Sequence, residues 1–202
     1  GLLLGTDLKY TKPRFDAVFL THAHIDHMAH IAFLDEKIPI YLGAATKTFV
    51  ECQETTTAGI NYGEHDYKMF KTGAKIRIDH VEVEPIHVDH SIPAAYGFII
   101  HTSKGAVAYT GDLRMHGPMA KMTEQFVKKA RQEKPICMIS EGTRIAPREL
   151  RKNLSEEQVL RGATQIAKKS RGLVLTTFYG RDIDRFKTFH ETSRDLRLVY
   201  EG

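Results

Sequence analysis

Apolar positions recur along the chain in two rhythms. Short runs rich in Val, Ile and aromatic residues, each closed by turn residues, predict strands over residues 17–20, 75–84, 96–102, 106–110, 136–140 and 173–177. Elsewhere the spacing is three to four, which predicts helices. Over residues 155–169, Val159, Leu160, Ala163, Ile166 and Ala167 form one apolar stripe, and Ser155 with Gln158 makes a capping box at its start. Phe126, Val127 and Ala130 mark a second stripe, and Ile183, Phe186 and Phe189 a third. Met28, Ile31 and Leu34 give an apolar side to a helix beginning at His27. Strands interspersed with helices give an α/β fold class, without repeats or a low-complexity linker.

Three of the predicted strands end on a residue with chemistry. The run 17–21 leads into His22, 107–111 into Asp112, and 137–140 into Glu141. In α/β folds the carboxyl ends of strands are where sites are commonly built.

Composition adds limits. A chain of 202 residues buries a substantial core and suits one domain, or one domain plus part of another. Hydrophobic and charged fractions of 42% and 27% are ordinary for a globular protein. No apolar run approaches the ~20 residues that span a bilayer, and no signal segment opens the chain. The expectation is a cytoplasmic protein without a membrane partner, its Cys52 and Cys137 reduced. The opening Gly1-Leu2-Leu3-Leu4-Gly5, without an initiating Met, reads as the start of an internal piece of a longer protein. Net charge is +4 but unevenly spread: residues 1–100 hold 9 Lys/Arg against 13 Asp/Glu, and residues 101–202 hold 20 against 12. An acidic, His-rich half beside a basic half suits a metal site next to a polyanion-binding surface, although solvated helix faces explain the same imbalance.

The strongest chemical signal is Thr21-His22-Ala23-His24-Ile25-Asp26-His27. In extended backbone, side chains at i and i+2 point the same way, so His22 and His24 can grip one cation, with Asp26 continuing that face. On a helix the same spacing would turn them about 200° apart. Imidazoles and a carboxylate together suit Zn²⁺, with Mn²⁺ or Fe as alternatives.

The His-x-His-x-Asp-His pattern resembles the metallo-β-lactamase superfamily, whose fold is an αββα sandwich. That resemblance implies a third histidine ligand, at His90 in Val88-Asp89-His90-Ser91-Ile92-Pro93, and a bridging carboxylate, Asp112 in Tyr109-Thr110-Gly111-Asp112. His22, His24 and His90 would then hold one Zn²⁺, Asp26 and His27 a second, and Asp112 both. His87 is the rival to His90; strand alternation sets His90 on the face of Ile86 and Val88, though Pro85 can upset the register.

The His-Ser-Ile-Pro form, the Gly111-Asp112-Leu113-Arg114 run and Ile139-Ser140-Glu141-Gly142-Thr143 together resemble the β-CASP group, which includes ribonuclease J and a messenger-RNA 3′-end endonuclease. The resemblance implies that Glu141 orients a ligating histidine by hydrogen bond. It divides the chain into an incomplete metallo-β-lactamase-like domain (1–153) and the beginning of a β-CASP α/β insert (154–202), near whose junction Arg144, Arg148, Arg151, Lys152 and Arg161 gather. It also implies a ribonuclease, with RNA as first partner, single-stranded DNA as second and a homodimer as one assembly to test. Two cations would lower the pKa of a bridging water toward neutrality and generate hydroxide, Asp26 would orient that water or take its proton, and His116 would assist the leaving group. Two departures stand out: the family's earlier Asp-bearing strand is missing, and His190 does not sit in the later motif that completes the second metal site. The competing readings are a silent nucleic-acid-binding paralogue and a hydrolase of small esters or thioesters. Aromatic platforms for base stacking are not visible in the sequence. The segment Thr177-Phe178-Tyr179-Gly180-Arg181 would line a cleft or serve only as a strand-to-helix turn.

Overall fold

The computed structural model describes residues 15–145, 148 and 150–194; the opening run 1–5 lies outside them. Among the described residues, eight strands form two sheets. The first is parallel and consists of β1 (Val18–Phe19), β2 (Ile40–Gly43) and β3 (Tyr67–Phe70), with Val18 opposite Ile40 and Ile40 opposite Tyr67. The second runs in chain order through β4 (Ile76–Ile78), β5 (Val81–His87), β6 (Tyr96–Thr102), β7 (Gly105–Tyr109) and β8 (Cys137–Ile139). Its pairs are antiparallel except the last, β7 with β8, which is parallel. The helices are α1 (Ile25–Met28), which continues as a 3₁₀ turn Ala29–Phe33, then α2 (Ala44–Thr56), α3 (Ala120–Glu133), α4 (Glu156–Lys169) and α5 (Ile183–Thr192).

Alternation along the strands builds the layers. Ile40 and Leu42 of β2 point to one side, where they pack with Val50 of α2 and with Met28 and Ile31. Tyr41 points to the other, joining Phe19 against Phe98 and Val83 of the second sheet. Phe19 stacks on Tyr41 at 4.8 Å and meets Phe98 edge-on at 5.8 Å. The far face of the second sheet, with Ile86, Ile99, Ala106 and Ala108, closes on Phe126 of α3. Helix, sheet, sheet and helix thus follow in order, the αββα sandwich. Each fully buried aliphatic or aromatic side chain in it contributes roughly 1.5–3 kcal/mol. Gly97 lies so close under Phe126 that a Cβ there would come within 2.6 Å of the ring.

Several predicted elements change on folding. The run 75–84 is two strands, because Asp79 turns the chain at φ 52° and folds β4 back on β5. The helix expected from His27 is a single α turn followed by a tighter 3₁₀ turn, with Met28 and Ile31 buried as its pattern required. Residues 173–177 form no strand: among the described residues no neighbouring chain pairs with them, and Leu173 and Leu175 remain 86% and 84% exposed. The capping box of α4 forms as expected, Ser155 Oγ accepting the Gln158 N–H at 3.2 Å and Gln158 Oε1 accepting the Ser155 N–H at 2.8 Å. No helix among the described residues is long and apolar enough to cross a membrane.

Candidate metal centre

The two sheets meet where β1 and β6 begin to diverge, tied by the Tyr96 N–H donating to the Thr21 carbonyl at 2.9 Å. His22 and His24 follow β1 in extended backbone, His24 standing at φ −69° and ψ 146° just before α1. His90 arrives on the loop after β5, and Asp112 on the loop after β7. One donor atom from each of His22, His24, His90 and Asp112 falls within 4.8 Å of the others.

The histidines approach in a defined way. His24 Nδ1 lies 3.0 Å from His22 Nε2 and 3.0 Å from His90 Nε2. Asp112 Oδ2 lies 3.7 Å from His90 Nε2 and 4.0 Å from His22 Nε2. On its other side Asp112 Oδ2 is 3.3 Å from His27 Nε2, and Asp26 Oδ2 is 3.4 Å from that same nitrogen. The expected residues therefore form two groups that share Asp112. Thr21 Oγ1 holds His22 Nδ1 at 3.0 Å and leaves Nε2 aimed inward. Thr21 could have been suspected only from its place beside the motif.

Burial sets the charge of this cluster. His22 is pushed down to about 2, first by burial and then by the neighbouring imidazoles. Burial, with His24 beside it, pushes His90 down to about 4. Burial lowers His24 as well. Hydrogen bonding couples the remaining two, raising His27 and lowering the Asp112 carboxyl. Nitrogens of three imidazoles converge here. A carboxylate stands beside them. That donor set fits a divalent cation, which accepts several lone pairs at once.

The rival His87 and two expected residues, Glu141 and His116, lie elsewhere. His87 stacks on Tyr96, centroids 4.1 Å apart, and its Nδ1 pairs with Thr72 Oγ1 at 2.9 Å, away from the cluster. Glu141 forms no hydrogen bond to a ligating histidine among the described residues. Its Oε2 accepts the Thr143 N–H at 2.9 Å, which caps the turn after β8. His116 stays outside the donor group, and burial followed by the nearby Arg114 lowers its pKa.

The family described as Beta-lactamase superfamily domain matches residues 5–174. This chain belongs to the metallo-β-lactamase superfamily. Within the superfamily it is similar to ribonuclease J of Sinorhizobium meliloti, 26% identical over 186 residues, which cover 88% of this chain and 32% of that protein. Ribonuclease J of Mycoplasma genitalium is 27% identical over 183 residues, covering 87% and 31%. The chain thus spans about a third of these curated relatives, 32% and 31%. Among solved structures, a protein of unknown function from Enterococcus faecalis V583 matches at 26% identity and a TM-score of 0.73, over 87% of this chain and 44% of that one.

Two contacts concern the segment that the sequence left open between a cleft lining and a turn. Tyr179 meets the His24 ring edge-on at 5.3 Å. The Arg181 guanidinium donates to the Ala23 carbonyl at 2.6 Å. The segment between Thr177 and Arg181 therefore borders the centre, and an aromatic ring is present where the sequence showed none.

Proposed function

We propose that this chain carries the metal-binding part of a phosphodiesterase that cleaves RNA. The observation that carries this reading is the convergence of His22, His24, His90 and Asp112, in a chain similar to ribonucleases J. His22, His24 and His90 would hold one cation through Nε2, Nδ1 and Nε2, and Asp112, His27 and Asp26 would face a second. Zinc fits the mixed nitrogen and oxygen donors best, with manganese next. Divalent cations there supply Lewis acidity, acidifying water and neutralising charge at a phosphate.

The chain's own groups do the rest. Neutral His22 and His90 keep their lone pairs available across the physiological range. Thr21 Oγ1 engages His22 Nδ1 and so orients the ring with Nε2 facing the cluster. Asp26, its side chain 78% exposed, stays open to solvent at the edge of the cluster and can orient a water or take its proton. We place the boundary between the sandwich and the following α/β segment after residue 153, where α4 opens a helix pair joined by Arg185 and Glu156.

Elemental analysis of the full-length protein and of its His24→Ala variant, alongside cleavage of labelled single-stranded RNA, tests the reading. The expected result is about two zinc-class ions in the parent, with metal and cleavage both lost in the variant. Bound metal without cleavage of RNA or single-stranded DNA would move the assignment to small esters or thioesters. A parent that binds no metal would make it a silent nucleic-acid-binding relative.

A further inference from the structure

Residues 179–184 touch each of the three donor loops. Arg181 donates to the carbonyl of Ala23, the residue between His22 and His24, at 2.6 Å. The Ile183 N–H donates at 3.1 Å to the carbonyl of Ser91, the residue after His90. Asp184 accepts a hydrogen bond from Arg114, two residues beyond Asp112. The segment is thereby pinned to the rim of the cluster at three points.

These pins hold Tyr179 in place. Its neighbour Phe178 turns inward against Phe186 and Phe189, at 6.3 and 5.5 Å. Tyr179 turns outward, meets the His24 imidazole at 74° and 5.3 Å, and remains 53% exposed. A ring that fills no core, yet is held rigidly at the mouth of a cation-binding cluster, is positioned for a ligand. A phosphodiester drawn to that cluster carries a sugar and a base on each side. With Tyr179 5.3 Å from the His24 ring, one of those bases would be the group that meets it. Base–aromatic stacking tolerates any sequence because every base has a π face. A small ester or lactone offers no second flat group for the ring.

We infer that Tyr179 is a stacking platform for the nucleobase beside the scissile phosphate, a subsite that selects polynucleotide over smaller esters. The inference rests on the nuclease reading above. It makes Tyr179 a binding residue and Arg181 the positioning residue that fixes it.

An abasic scan tests the subsite. Single-stranded oligoribonucleotides lacking one base at successive positions are assayed two ways: by fluorescence anisotropy in chelator, and by cleavage with metal. The parent should bind and cleave one position's abasic substrate about tenfold less well, within the range of a single base stack. Tyr179→Ala should lose that sensitivity and bind the intact oligonucleotide about tenfold more weakly, while Tyr179→Phe keeps both. Metal content and thermal midpoint should be the same in all three proteins, since Tyr179 neither ligates nor fills the core. An abasic profile that is unchanged in Tyr179→Ala would overturn the platform and leave the nuclease reading intact. A parent that neither binds nor cleaves any oligonucleotide would overturn both.

Discussion

Arg114 and Asp89 close a buried bracket between two donor loops. Arg114 Nε donates to Asp89 Oδ1 at 3.1 Å, and the Arg114 N–H donates to the Asp89 carbonyl at 2.8 Å. Beneath them Thr123 of α3 accepts the Asp89 N–H at 2.8 Å and donates to the Arg114 carbonyl at 3.0 Å. Since Asp89 precedes His90 and Arg114 follows Asp112 by two residues, the bracket sets the distance between those two donors.

The Asp89 side chain is 1% exposed, so its charge depends on this arginine. Arg114→Met should destabilise the metal-free protein by about 3–5 kcal/mol, the cost of stranding a buried charge. It should also weaken metal binding by about 10- to 100-fold, as loss of an orienting partner does. Arg114→Lys should recover only part of either, because one ammonium cannot serve both Asp89 and Asp184 in fork geometry. Denaturant unfolding and chelator competition measure the two effects. A stable, tightly binding Arg114→Met protein would sink the idea of the bracket.

His90 and His87 separate cleanly under the same chelator assay. His90→Ala removes a nitrogen 3.0 Å from His24 Nδ1 and should lower metal affinity at least about tenfold. His87→Ala breaks a stack on Tyr96 and a contact with Thr72, and should leave metal content unchanged. The reverse pattern would reassign the third donor.

The metal-free protein should lose stability on acidification. Unfolded histidine takes up a proton near 6.5, whereas folded His90 resists to about 4 and folded His22 to about 2. Lowered pKa values mean stability that is fully present above 6.5 and drains away as pH falls toward 4 and below. His27 acts in the opposite sense: its raised pKa adds stability that is complete below 6.5 and fades as pH rises through the raised value. His24 is lowered as well, and the lowered groups together outweigh the one raised histidine, so the thermal midpoint should drop by about 5–10 °C between pH 7 and pH 4.5. Thermal scans in chelator across that range would expose a flat profile if the burial argument is wrong.

Gly111→Ala should damage both fold and site. Gly111 sits at φ 56°, and a Cβ there would stand 2.8 Å from the Tyr96 carbonyl oxygen, which is backbone and cannot swing aside. We expect a loss of about 2 kcal/mol or more, with metal affinity reduced because Asp112 follows directly. An unperturbed Gly111→Ala protein in unfolding and metal titrations would contradict this.

Much of the site was legible because metal donors obey local rules. The i, i+2 spacing of His22 and His24 needed only extended backbone, and the structure supplies it. The face of His90 was harder. Glu84, Pro85 and Ile86 are all buried, so simple alternation fails in a strand covered on both sides, and the resemblance carried that choice. Strands β2 and β3 escaped notice as four-residue runs. Helix α2 was hidden by Thr-rich, weakly amphipathic sequence that tertiary packing makes helical. The sequence left the segment of Tyr179 open between a cleft lining and a turn, since the choice depends on tertiary contacts to Ala23, Ser91 and Arg114. Glu141 was read from a motif position alone, and in the structure its side chain accepts the Thr143 N–H.

His22 and His24 hang from one sheet, whereas His90 and Asp112 hang from the other, and the Tyr96-to-Thr21 hydrogen bond is the seam between them. Neither sheet owns half of the chemistry in usable form. A chain still being made, or one cut between the sheets, presents scattered histidines and no pocket of converging lone pairs. A site able to hold metal would therefore exist only once folding is finished, and the fraction of molecules that take up metal would gauge the fraction correctly assembled.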